Sequence, residues 1–160
     1  MLKRLALILL LTAPSLAGAD NGFFFQDGIT KEYLEGLEVN VQIEDNATGA
    51  CWTNLKEVRE YAEEKLRTLG VKVSETEYMV AEANLYWLTI NVSAGRPYAD
   101  GSGPCYGDYK ISLIGWVKIN DVTHLAILGG REVLPFMPST DSFNRPVLLG
   151  LEKAFSSFPR

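Results

Sequence analysis

The sequence predicts an α+β domain: about four mainly antiparallel strands in the order β-α-β-β-β-α, with both helices packed on one face of the sheet. Three observations predict it. Residues 54–70 (NLKEVREYAEEKLRTLG) carry apolar side chains at steps of three and four. Residues 37–44 alternate strictly between apolar and polar. Residues 109–119 and 122–134 are two alternating runs joined by Asn120-Asp121.

The helix over 54–70 is the clearest element. Leu55, Val58, Ala62, Leu66 and Leu69 form one narrow stripe, as expected of a helix lying on a sheet. Asn54 stands at the N-cap with Glu57 three residues on, the capping-box spacing, and Gly70 supplies a left-handed stop. Lys56–Glu60, Arg59–Glu63 and Glu63–Arg67 are opposite charges four apart, worth roughly 0.2–0.5 kcal/mol each. Because the signs alternate, the carboxylates read as a solvated face rather than an acidic site.

Residues 1–19 read as a secretory signal: Lys3 and Arg4, an apolar run over 5–11, and Ala17-Gly18-Ala19 as the cleavage site. The run is too short to span a membrane, which takes about 20 residues. No cysteine follows it directly, which argues against a lipid-anchored form. Loss of Lys3 and Arg4 takes the net charge from −5 to −7, which disfavours nucleic acid and anionic membrane surfaces as partners. Residues 20–36 are then an N-terminal extension and 37–160 a single domain. The location expected is the periplasm or the outside of the cell. Cys51 and Cys105 are the two cysteines, and an even count in an exported chain favours a disulfide between them.

Along the chain, Phe23-Phe24-Phe25 is expected to tuck onto the domain or dock on a partner. In 37–44, Leu37, Val39, Val41 and Ile43 point to one side, and Glu38, Asn40, Gln42 and Glu44 to the other. Val71-Lys72-Val73 opens a polar stretch reaching Asn84. In the strand over 85–93, Tyr86, Leu88, Ile90 and Val92 share one face, with Leu85 and Trp87 on the reverse. The Gly/Pro/Ser-rich loop over 94–108 carries Arg96, Tyr98, Asp100 and Tyr106 as candidate ligand contacts. A two-residue turn at Asn120-Asp121 pairs Ile119 with Val122, Val117 with His124 and Leu113 with Leu128. The last helix begins near Ser142 or Asn144, with Pro146 in its first turn and Val147, Leu148, Leu151, Phe155 and Phe158 buried.

This register sorts the hairpin into two faces. Tyr109, Ile111, Leu113, Val117, Ile119, Ala126 and Leu128 face the helices. The reverse face carries Ile114, Trp116, Leu125 and Ile127, joined by Leu85 and Trp87. A solvated face would read polar. Something is therefore expected to cover it: the Phe23–Phe25 segment, a second copy or a different protein. Trp87, Ile114, Trp116, Leu125 and Ile127 are the candidate partner-binding set, for an envelope protein or a second copy.

Catalytic and metal patterns are sparse. His124 is the only histidine and reads as a core imidazole. No serine lies in a G-x-S-x-G elbow, and one histidine with a bridged cysteine pair makes no zinc site. Gly101-Ser102-Gly103 lacks the lysine of a P-loop. No cofactor is expected. Asn46 and Asn91 lie in glycosylation sequons. The element order resembles the small α+β domains of bacterial cell-envelope assembly and accessory proteins, which implies a non-catalytic binding role. Two alternatives stand beside it: a small secreted hydrolase using loop carboxylates, and an inhibitor or ligand carrier using the 94–108 loop.

Overall fold

The computed structural model describes residues 24–25, 29–75, 85–133 and 141–159. The signal read over 1–19, Phe23, the polar stretch 76–84 and the loop 134–140 lie outside the described residues. The element order is β1 (Phe24–Phe25), α1 (Lys31–Glu35), β2 (Glu38–Asp45), α2 (Leu55–Thr68), β3 (Lys72–Val73), β4 (Leu85–Gly95), β5 (Tyr106–Ile119), β6 (Val122–Val133) and α3 (Asn144–Ser156).

The strands form one sheet in the order β1-β6-β5-β4-β2-β3. The α+β class holds, with three corrections to its details. The four long strands are extended at either edge by a two-residue strand, making six. A third helix, α1, precedes β2; five residues are too few to show a helical period. The sheet is mixed, because β2 runs parallel to both β3 and β4 while the other pairs are antiparallel. The crossover through α2 imposes the parallel β2–β3 pair, since parallel neighbours need a long connection.

Local chemistry accounts for the helices. α2 buries Val58, Ala62 and Leu66. It ends in a Schellman motif: Val71 N–H donates to the Leu66 carbonyl (3.0 Å) and Gly70 N–H to that of Arg67 (3.0 Å), with Gly70 at φ +81°. At the other end Asn54 makes no side-chain bond to the backbone; its amide donates to the Glu57 carboxylate at 2.9 Å. The Lys56–Glu60 and Arg67–Glu63 pairs form, whereas Arg59 turns from Glu63 and donates to the Val41 carbonyl of β2. α3 starts at Asn144 behind Phe143, with no side-chain cap of its own. Instead the Asn144 amide grips Thr53, accepting from its backbone N–H and donating to its hydroxyl, both at 2.9 Å. Phe143 N–H donates to the Cys51 carbonyl beside it.

Asn120 and Asp121 take left-handed φ values of 49° and 63°, as a two-residue hairpin loop requires. Ile119 faces Val122 and Val117 faces His124. The register then shifts: a bulge puts Ile114 opposite Ile127 and Leu113 opposite Gly129, so the expected Leu113–Leu128 pair is corrected by one residue. Leu128 is the extra residue and remains in the core.

One face of the sheet carries the core. Val39, Val41, Leu88, Ile90, Ile111 and Leu113 meet Val58, Ala62 and Leu66 of α2 and Val147, Leu151 and Ala154 of α3. Both long helices therefore lie on the same side. Leu34 of α1 is buried in the same cluster, although it comes from residues read as an extension. His124 is exposed rather than a core imidazole, because residues 120–125 at the hairpin tip lie open to solvent.

Candidate binding face

The face turned away from the helices is ordered in cross-strand rows. Asn40, Trp87, Ile114 and Ile127 stand side by side across β2, β4, β5 and β6. The next row is Gln42, Thr89, Ser112 and Gly130; beyond it Glu44, Asn91 and Lys110 align. Towards the hairpin tip, Trp116 pairs with Leu125. Polarity therefore changes along the strands, from charged and amide groups at one end to apolar side chains at the other.

The apolar end holds the five residues singled out from the sequence, in two environments. Trp87 is buried (1% exposed), yet lies outside the helix-side cluster. Ile114 and Trp116 are half-buried, and Leu125 and Ile127 remain 50% and 45% exposed. Covering the open half of each of the last two would return about 1 kcal/mol per residue. The indole N–H groups of Trp87 and Trp116 are buried without a hydrogen-bond partner among the described residues.

The polar end was not singled out from the sequence. Glu44, Asn91, Thr89, Asp108, Lys110 and Ser112 line a shallow depression of about 360 Å³ that reaches Ile114 and Ile127. The Asn91 amide donates to the Glu44 carboxylate at 2.6 Å, and the Thr89 hydroxyl to the Ser112 carbonyl at 3.2 Å. The Ser112 hydroxyl is buried and unpartnered among the described residues. The alternation of β2 already placed Asn40, Gln42 and Glu44 on this side; their union with β5 depends on the strand order, which periodicity does not reveal. A second concavity, about 620 Å³, runs along the outer edge of β2 under Arg59, Glu63 and Arg67. Three of its charged groups are committed to the fold: Arg59 donates to the Val41 carbonyl and Arg67 to Glu63.

The four loop residues take separate places. Arg96 ties three segments together, donating to the carbonyls of Gly49 (2.8 Å), Asp141 (3.1 Å) and Gly103. Asp100 accepts from Ser102 N–H at 2.8 Å, and hydrogen bonds from Ser102 hold its carboxyl below the usual range. Tyr98 and Tyr106 are exposed, 63% and 42%. Next to them a disulfide joins Cys51 to Cys105, with Cα atoms 5.6 Å apart and both residues fully buried. Such a bond is consistent with an oxidising compartment.

Among the described residues no group of three or more His, Cys, Asp or Glu side chains could hold a metal ion, and no helix is long and apolar enough to cross a membrane. No protein-family model matches the chain, and no curated protein matches it.

Proposed function

We propose that this protein is an exported, disulfide-bonded binding domain of the periplasm or extracellular space, without catalytic activity of its own. It engages a macromolecular partner across the sheet face opposite its helices. The observation that carries this reading is the placement of Leu125 and Ile127, half-exposed beside Ile114 and Trp116, on a face where a solvated sheet would present polar groups. The polar rows at the other end supply hydrogen-bonding groups to fix the partner's orientation, as interface rims do. The acidic balance favours a neutral or basic partner surface.

The test is capture from an envelope fraction by chemical cross-linking, comparing the native chain with a Leu125→Lys, Ile127→Lys variant. Both side chains are half-exposed, so the variant should keep its melting transition. The expected result is a defined cross-linked species that the variant fails to form. Capture unchanged by the two lysines would refute the reading.

A further inference from the structure

Among the described residues the outer edge of β6 is almost uncovered. β1 pairs with it only at Gly130 and Gly129, which leaves Val122 to Leu128 without a neighbouring strand among the described residues. In a two-residue hairpin loop the flanking residues exchange both backbone hydrogen bonds, so Val122, His124 and Ala126 turn theirs towards β5. Thr123, Leu125 and Ile127 then turn N–H and C=O outward. A free edge of this kind is a template for another strand, and natural edges are usually guarded by lysine, proline or an inward charge. Residues 122–130 (VTHLAILGG) contain no Asp, Glu, Lys, Arg or Pro. The bulge, one such device, sits at the far end by Leu128. Three of the large apolar side chains most exposed among the described residues, Val122, Leu125 and Ile127, lie on this strand.

We infer that β6 pairs antiparallel with β6 of a second copy of this chain. The charge pattern favours that occupant. The chain as a whole is acidic, so two copies repel each other over most of their surfaces, but this edge carries no formal charge to set against itself. Antiparallel pairing of one edge with its own copy is also isologous, closing at two subunits. The outward-turned residues fix the register: Leu125 meets Leu125 on the two-fold axis, and Thr123 meets Ile127. The two sheets join into one, and the apolar ends of the two helix-free faces become continuous. Leu125 and Ile127 belong to both surfaces, but this pairing is made by the backbone edge of β6, so the self-linking of single cysteines tests it separately from capture of the partner proposed above.

The experiment is sedimentation of the full chain after oxidative refolding, together with single cysteines on the exposed edge. The native disulfide is fully buried, away from the introduced thiols on the exposed edge. Paired residues across such a ladder lie about 5.5 Å apart at Cα, within disulfide reach. The expected result is a dimer in which L125C links to itself, I127C does not, and a mixture of T123C and I127C chains links to each other. A monomer in sedimentation would overturn the inference. So would a dimer in which L125C fails to link, since that dimer is built on another surface.

Discussion

The ring of Tyr86 lies against the bare Cα of Gly115, its partner across β4 and β5; a Cβ built on Gly115 would sit 1.9 Å from the Tyr86 Cδ1. The glycine is needed here for its missing side chain, which leaves room for the ring. Gly115→Ala should therefore destabilise the fold by about 2–3 kcal/mol, in the upper range for overpacking. Urea denaturation measures the loss. Adding Tyr86→Ala should recover part of it, because the two residues are in direct contact. Simple additivity of the two substitutions would show that the clash is relieved elsewhere.

Tyr86 also links stability to pH. Its hydroxyl lies 2.8 Å from that of Tyr33, and burial first, then this hydrogen bond, pushes its pKa above the ordinary tyrosine range. The folded value is raised over an unfolded value of about 10. The contribution is therefore complete below about pH 10 and is lost as pH climbs from there towards the folded pKa. Denaturation midpoints should fall on the alkaline side of pH 10, and Tyr86→Phe should flatten that fall. The same variant should cost only about 0.5–1 kcal/mol at neutral pH, because Tyr33 is partly exposed and can turn to water.

The Cys51–Cys105 bridge closes a loop of 54 residues in sequence separation. The chain-entropy account assigns such a closure about 4 kcal/mol. Cys51→Ala with Cys105→Ala should lose stability of that order. A reducing agent should lower the native midpoint towards that of the double variant and leave the variant itself unmoved. Equal midpoints for oxidised native chain and double variant would show that the unfolded state is not appreciably constrained by the bond.

The Asn144 clasp on Thr53 predicts a graded pair of variants. Asn144→Ala removes both hydrogen bonds and should cost about 1–2 kcal/mol. Asn144→Asp keeps an acceptor for the Thr53 N–H and loses the donor to its hydroxyl, so it should fall between alanine and the native residue. Thermal or urea unfolding of the three chains gives the order directly.

Short-range chemistry was legible in the sequence; of the long-range partnerships the Cys51–Cys105 bridge was, because only two cysteines exist, and the strand order was not. The α2 stripe, the alternation of β2 and the Asn120-Asp121 turn each rest on neighbours in the chain, and each stands where periodicity puts it. The bulge escaped because Ile127 and Leu128 are both apolar, so no polar residue marks the slip from one face to the other. The parallel β2–β4 pairing escaped because strand order leaves no trace in a strand's own pattern. Asn144 looked like a helix cap from its position alone; its bonds go instead to a residue 91 positions earlier. On the candidate face, the apolar set followed from hairpin register. The depression around Asn91, Lys110 and Ser112 required four strands, β2, β4, β5 and β6, to be laid side by side.

The corner where Thr53 meets Asn144 also bears on how the molecule is made. Thr53 has no clasp until residue 144 has left the ribosome, 91 peptide bonds later. At roughly 5–20 residues per second that wait is on the order of 5–20 s. Throughout it, the growing chain presents an unfinished surface beside the start of α2. That corner closes only when α3, the last element of the chain, has been made.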